Sequence, residues 1–180
     1  SLIAHYTFDN VSGNTISDQS GNGLDATAES GLTYESGYFN NAILTADAND
    51  RVTIPGTSVN GSRSISLWLK MLSASSGDTF NYIFPPEFHG SSWAFYQEVP
   101  ANKLIAQVGA LRNKWSAPPQ DEWHHITMTS NGTTIAMYID GVLQTALETN
   151  IVSVPAKNVT ILLGNNGDIY KNSLVDNYRL

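Results

Sequence analysis

The chain has 180 residues, one domain's worth, and its 41% hydrophobic and 10% aromatic content predicts a packed globule rather than disorder. Net charge is −7 with nine Lys and Arg scattered singly, which argues against a nucleic-acid groove, and the longest apolar run, Ile135 to Ile139, is five residues, which argues against membrane insertion. Cysteine is absent, so disulfides, thiolate metal sites and thiol nucleophiles are excluded.

Strand signals are frequent along the chain and helical periodicity is nearly missing. Leu2 to Phe8 alternates, with Leu2, Ala4, Tyr6 and Phe8 on one face, and gives way at Asp9-Asn10 to a polar, Gly-rich stretch through Gly23. Ile65, Leu67, Leu69 and Met71 alternate within Ser64 to Leu72. Shorter candidates are Trp93 to Val99 and Leu104 to Val108. Asn131-Gly132 and Asp140-Gly141 then separate three strands, Trp123–Thr129, Thr134–Ile139 and Val142–Leu147. Both dipeptides tolerate the positive φ that tight hairpin turns demand, so this span reads as an antiparallel meander. Thr160–Gly164 and Leu174–Leu180 complete the set. Many short strands without intervening helices predict an all-β, two-layer antiparallel sandwich, with residues 1–180 forming one domain.

Five segments, in order, carry a resemblance to a known family. They are Ala4-His5-Tyr6-Thr7-Phe8-Asp9, Asp18 to Thr27 (Asp-Gln-Ser-Gly-Asn-Gly-Leu-Asp-Ala-Thr), Ser64 to Lys70, Trp123-His124-His125 through Tyr138-Ile139-Asp140-Gly141, and Val175-Asp176-Asn177-Tyr178-Arg179-Leu180. Together they resemble the bacterial laminin-G-like family of the concanavalin-A-like lectin/glucanase fold. The resemblance implies a jelly-roll sandwich, but that fold hosts lectins, hydrolases, lyases and adhesion modules alike.

In that fold the first and last strands are antiparallel neighbours, which implies that Asp9 approaches Asp176. Two carboxylates near the Gly21-Asn22-Gly23 turn suit Ca2+, which takes six to eight hard oxygens. The expected ligands are Asp9, Asp18, Asn22 and Asp176, with Asp25 as a further candidate. The competing reading is that Asp18, Asn22 and Asp25 cap turns through side-chain-to-backbone bonds. Simple alternation puts Asp176 on one face with Leu174 and Tyr178, so an irregularity is needed to turn it outward.

Adjacent His124 and His125 point to opposite faces and cannot share a metal. No strand carries the alternating carboxylates of a glucanase, nor is there a Gln-x-His lyase pair or a Gly-x-Ser-x-Gly elbow, so a hydrolase or lyase ranks third. The irregular middle, in contrast, is dense in aromatics. Tyr82, His89, Arg112 and Trp115 are the expected glycan-binding residues, with Trp115 as an exposed stacking platform, while Trp68 and Trp123 sit in regular strand patterns and read as core. The leading expectation is a non-catalytic, calcium-stabilised module binding a glycan or cell-surface polysaccharide. It would belong to a larger extracellular, cell-surface or virion-surface protein and touch that protein's other domains. The runner-up is a structural or assembly domain of a phage tail or surface fibre, making protein contacts.

Overall fold

The computed structural model describes residues 1–29, 31–45, 50–59, 62–73, 80–84, 93–108, 110–151, 157–164 and 173–180. The fold is an all-β, antiparallel sandwich, and the described residues contain no helix. Its largest sheet has eight strands, running Val142–Leu143, Ile135–Ile139, Trp123–Asn131, Ser62–Met71, Ser173–Arg179, Asn41–Thr45 and Thr33–Ser36, with His5–Tyr6 also paired to Ser173–Arg179. A second sheet runs Glu148–Thr149, Leu111–Ser116, Lys103–Val108, Trp93–Glu98 and Phe80–Phe84. The third runs Lys157–Gly164, Arg51–Val59, Ala26–Ala28, Thr15–Ile16 and Val11–Ser12.

Period-two patterning decides which face of each strand is buried. Ile65, Leu67, Leu69 and Met71 point inward from Ser62–Met71, and Ile126 and Met128 do so from the neighbouring Trp123–Asn131. They meet Phe95, Leu104 and Trp115 from the second sheet and Ile16, Val52 and Ile54 from the third in one core. Ala4, Tyr6 and Phe8 are buried as their alternation predicts, whereas Leu2 is 45% exposed. The first strand spans His5–Tyr6, shorter than Leu2–Phe8, and backbone bonds between Ile3, Ala4 and Leu180 extend its attachment to the last strand.

The predicted meander is present, with Gly132, Asp140 and Gly141 all at positive φ. The third of its strands stops at Leu143 rather than Leu147. Asp140 does more than turn the chain. Its Oδ1 accepts the His125 backbone N–H at 2.8 Å, its Oδ2 meets His124 Nδ1 at 2.7 Å, and its own N–H donates to the His125 carbonyl at 2.9 Å. The Trp-His-His and Asp-Gly segments thus form a hairpin staple, and His124 is structural.

Three expectations about tryptophan require correction. Trp115 is only 1% exposed and packs in the core, because it alternates with solvent-facing Lys114 and Ser116 and shares an inward face with buried Asn113. It offers no stacking platform. Trp68 and Trp123 lie on the opposite, outward parity to Leu67, Leu69 and Ile126, so they stand on the outer face of the large sheet instead of in its core.

Candidate functional site

The last strand sits centrally in the large sheet, and a bulge within it orients the site. Asp176 is opposite Trp68 and Arg179 is opposite Ser66, so three steps on one strand answer two on the other. The extra residue is absorbed near Asn177, whose φ is 52°. Val175 faces the core, Asp176 shares the outer face with Trp68, and the bulge returns Tyr178 to the core opposite Tyr6. This irregularity overrides the simple alternation that grouped Asp176 with Tyr178.

A tight hairpin loop joining Thr33–Ser36 to Asn41–Thr45 covers Asp176. Asp176 Oδ2 accepts the Phe39 backbone N–H at 2.7 Å. A Cβ on Gly37 would lie 2.8 Å from that same Oδ2 and 2.8 Å from the Asn41 backbone carbon, so only glycine fits there. Asp9 holds the loop from the other side, its Oδ1 accepting the Asn41 N–H at 3.0 Å and its Oδ2 the Asn40 side-chain amide at 3.3 Å. Phe8, just before it, adopts φ 61°, a backbone strain that sits beside the pair. Asp176 is fully buried, and its Oδ1 has no hydrogen-bond partner. Burial pushes its carboxyl up to about 6, and the negative charge of Asp9 adds to the shift against the opposing N–H of Phe39.

Asp9 and Asp176 therefore converge as expected, but Asp18 and Asn22 do something else. Asp18 accepts four hydrogen bonds, from the His5, Ser20 and Leu24 backbone N–H groups and from the Ser20 hydroxyl. Those donors hold its carboxyl below the usual carboxylate range against the opposing effect of burial. Asn22 donates its amide to the Leu2 and Ile3 carbonyls, and Asp25 accepts from the Asp18 N–H. These side chains tie the first strand to the turn that follows it, which is the capping role. Among the described residues no three acidic or histidine side chains gather as a metal cluster, so Asp18 does not join the pair. An orphaned carboxylate oxygen beside a second carboxylate is donor chemistry of the kind a hard cation such as calcium takes.

Above Asp176 the same loop builds an aromatic cluster on the outer face. Tyr38 stacks on Trp68 with ring centroids 3.5 Å apart and 8° between planes. Phe39 meets both rings edge-on, Trp123 approaches Tyr38 at 6.3 Å, and His125 lies 5.2 Å from Trp68. Tyr38 and Phe39 remain 46% and 48% exposed. The signal for this platform was the Gly37-Tyr38-Phe39 triplet, which lies outside every strand pattern read from the sequence. Beyond His125 the face continues into a groove of about 840 Å³.

Of the expected glycan residues, Arg112 is exposed on Leu111–Ser116, in the second sheet and away from this platform. His89 lies outside the described residues, as does the side chain of Tyr82. The structure does not unite Arg112 and Trp115 in a site.

The sandwich thus carries an outward aromatic platform above a buried Asp176 and a partly exposed Asp9, both held under one hairpin. Residues 46–180 match the laminin-G-like family model, described as the concanavalin A-like lectin/glucanases superfamily, and the chain belongs to that family. No curated protein sequence matches the chain. Among solved structures it is similar to the binding domain of Paraclostridial Mosquitocidal Protein 1, at 17% identity and TM-score 0.75, covering 99% of this chain and 48% of that one. It is also similar to a botulinum neurotoxin type C structure, at 17% identity and TM-score 0.73, covering 99% and 47%. A third is the botulinum neurotoxin DC binding domain in complex with rat synaptotagmin II, at 16% identity and TM-score 0.74, covering 99% and 47%. The chain thus spans about half the length of these structures, and the likeness shows the fold.

Proposed function

We propose that residues 1–180 form one non-catalytic, calcium-stabilised carbohydrate-binding or adhesive module of a larger extracellular or surface protein. The observation that carries this reading is the Tyr38–Phe39 pair, two half-exposed rings braced on Trp68. Aromatic faces stack against the apolar side of pyranose rings, at about 1 kcal/mol per contact beyond area burial. Such an affinity is weak alone and suits a multivalent host. Entry of botulinum neurotoxin type C into cells depends on interaction with two ganglioside molecules, which makes glycan recognition a reasonable property for this scaffold. The acidic pair is not a catalytic dyad in this reading, since Asp176 is sealed from any substrate. Calcium bound by Asp9 and Asp176 would neutralise the pair and fasten the loop that carries the rings.

The test is a glycan array probed with the wild type and with Tyr38→Ala/Phe39→Ala, in calcium and in chelator. The double variant should lose binding several-fold with a modest fall in melting temperature, because the rings' packing on Trp68 is lost while the loop's backbone hydrogen bonds remain. Absence of binding to any glycan by the wild type in calcium would refute the reading. A second reading, a structural or assembly domain making protein contacts, is favoured by the sheet-edge residues Val142 and Leu143, 63% and 60% exposed.

A further inference from the structure

We propose that the groove beside the aromatic platform docks a sugar bearing a single carboxylate, such as a terminal uronic or sialic acid, with Arg179 gripping the carboxylate. This rests on the carbohydrate-binding reading and adds the ligand's charge and its anchor. The groove lies on the outer face of the large sheet, where Ser64 and Ser66 stand beside Thr127 and His125 on the adjoining strand. Its volume of about 840 Å³ is in the range of a small-ligand site.

The first argument is charge. The chain carries sixteen acidic and nine basic residues, yet the groove is walled by two arginines, one histidine and no aspartate or glutamate. A pocket of opposite sign to the whole protein focuses an anion. The second is that Arg179 is available. It is exposed, and no described aspartate or glutamate forms an ion pair with it. Burial and the charge of Arg179 both push the His125 imidazole down, so at neutral pH it is an uncharged ring and hydrogen-bonding partner.

The third argument is arrangement. The hydroxyls of Ser64, Ser66 and Thr127 can pair with sugar hydroxyls, while His125 joins the groove to the ring cluster through Trp68. The guanidinium fork matches a planar carboxylate bidentately. A densely sulfated polymer is the wrong partner, because one available arginine in a chain of net charge −7 cannot offset the repulsion of a polyanion.

The experiment uses the calcium-loaded chain and matched oligosaccharides capped by a uronic or sialic acid, each compared with its carboxyl-reduced, neutral counterpart. Calorimetric titration should show the acidic form binding about tenfold more tightly, with an advantage that shrinks at high salt. Arg179→Ala should erase that advantage without changing neutral-sugar binding or the melting temperature, and Arg179→Lys should restore part of it. Tyr38→Ala should weaken both forms equally. Equal binding of the acidic and reduced forms, an advantage that survives Arg179→Ala, or preferential binding of a heparin-like polysulfate would overturn the inference. If neither form binds while the array still scores neutral glycans, the acidic-sugar inference alone fails. If the array scores nothing, the carbohydrate reading fails with it.

Discussion

In metal-free protein, Asp176→Asn is expected to raise stability near neutral pH and to remove a pH dependence that the wild type shows. The native carboxyl of Asp176 is pushed up to about 6 from an ordinary value of 3.8 by burial and by Asp9. A group raised in the folded state contributes stability that is fully present below its unfolded value and is lost as pH rises through its folded value. The wild type should therefore weaken between pH 4 and about 6, by roughly 3 kcal/mol once Asp176 is fully charged. For a chain of this size that corresponds to roughly 6–12 °C in melting temperature. Asparagine keeps an oxygen for the Phe39 N–H and carries no charge, so the variant should lack this loss. Asp18 and Asp140 are held low by their hydrogen bonds, so their stabilisation is lost as pH falls below the usual carboxylate range. Both proteins share that acid limb, and the difference between their curves isolates Asp176. Calcium closes most of that gap. At a hundredfold its Kd a native-state ligand adds about 2.7 kcal/mol, and the variant should gain little of it. Calorimetric melts from pH 4 to 7.5, in metal-stripped buffer and then in calcium, measure both effects. Parallel pH curves for the two proteins, or an equal rise with calcium, would refute the reasoning.

Three further substitutions separate structural from binding roles. Trp115→Ala empties a core position and should cost about 3–5 kcal/mol by denaturant unfolding, with loss of glycan binding only in proportion to unfolded protein. Asp18→Ala removes a four-fold acceptor and should cost about 2–3 kcal/mol, while the rise in melting temperature with calcium stays as in the wild type. Asp140→Ala frees the His125 N–H and the His124 ring and should cost about 1–2 kcal/mol, visible as faster amide exchange in the 123–143 meander.

Much of the fold was legible because local chemistry and burial agree along the later strands. Asn131-Gly132 and Asp140-Gly141 mark turns, and Ile65 to Met71 marks an inward face, each within a few residues of the observed bounds. Thr33–Ser36, Asn41–Thr45 and Leu111–Ser116 were not legible. Short edge or amphiphilic strands such as Thr-Tyr-Glu-Ser and Leu-Arg-Asn-Lys-Trp-Ser owe their form to the ladder beside them, and composition does not announce it. In the site, the approach of Asp9 and Asp176 followed from pairing of the outermost strands. The loop between them did not, because residues 37–41 are distant in sequence from both carboxylates. Trp115 misled for a related reason. Neighbouring Lys114 and Ser116 suggested solvent, but polar neighbours on alternate positions are what a half-buried strand displays. The same parity, applied to Leu67 and Leu69, turns Trp68 outward.

The strand Ser173–Arg179 is the keystone of the large sheet, flanked by Ser62–Met71 and Asn41–Thr45 and also bonded to His5–Tyr6. On a ribosome, the partners of this strand are synthesised more than a hundred residues before it. Until it arrives, Asn41–Thr45 and Ser62–Met71 have unfilled edges and the inward faces of several strands stay wet. Assembly of the large sheet should thus wait for this strand and be slow, as expected where the decisive pairings are non-local. During that wait its open edges are the surfaces most in need of a chaperone's cover.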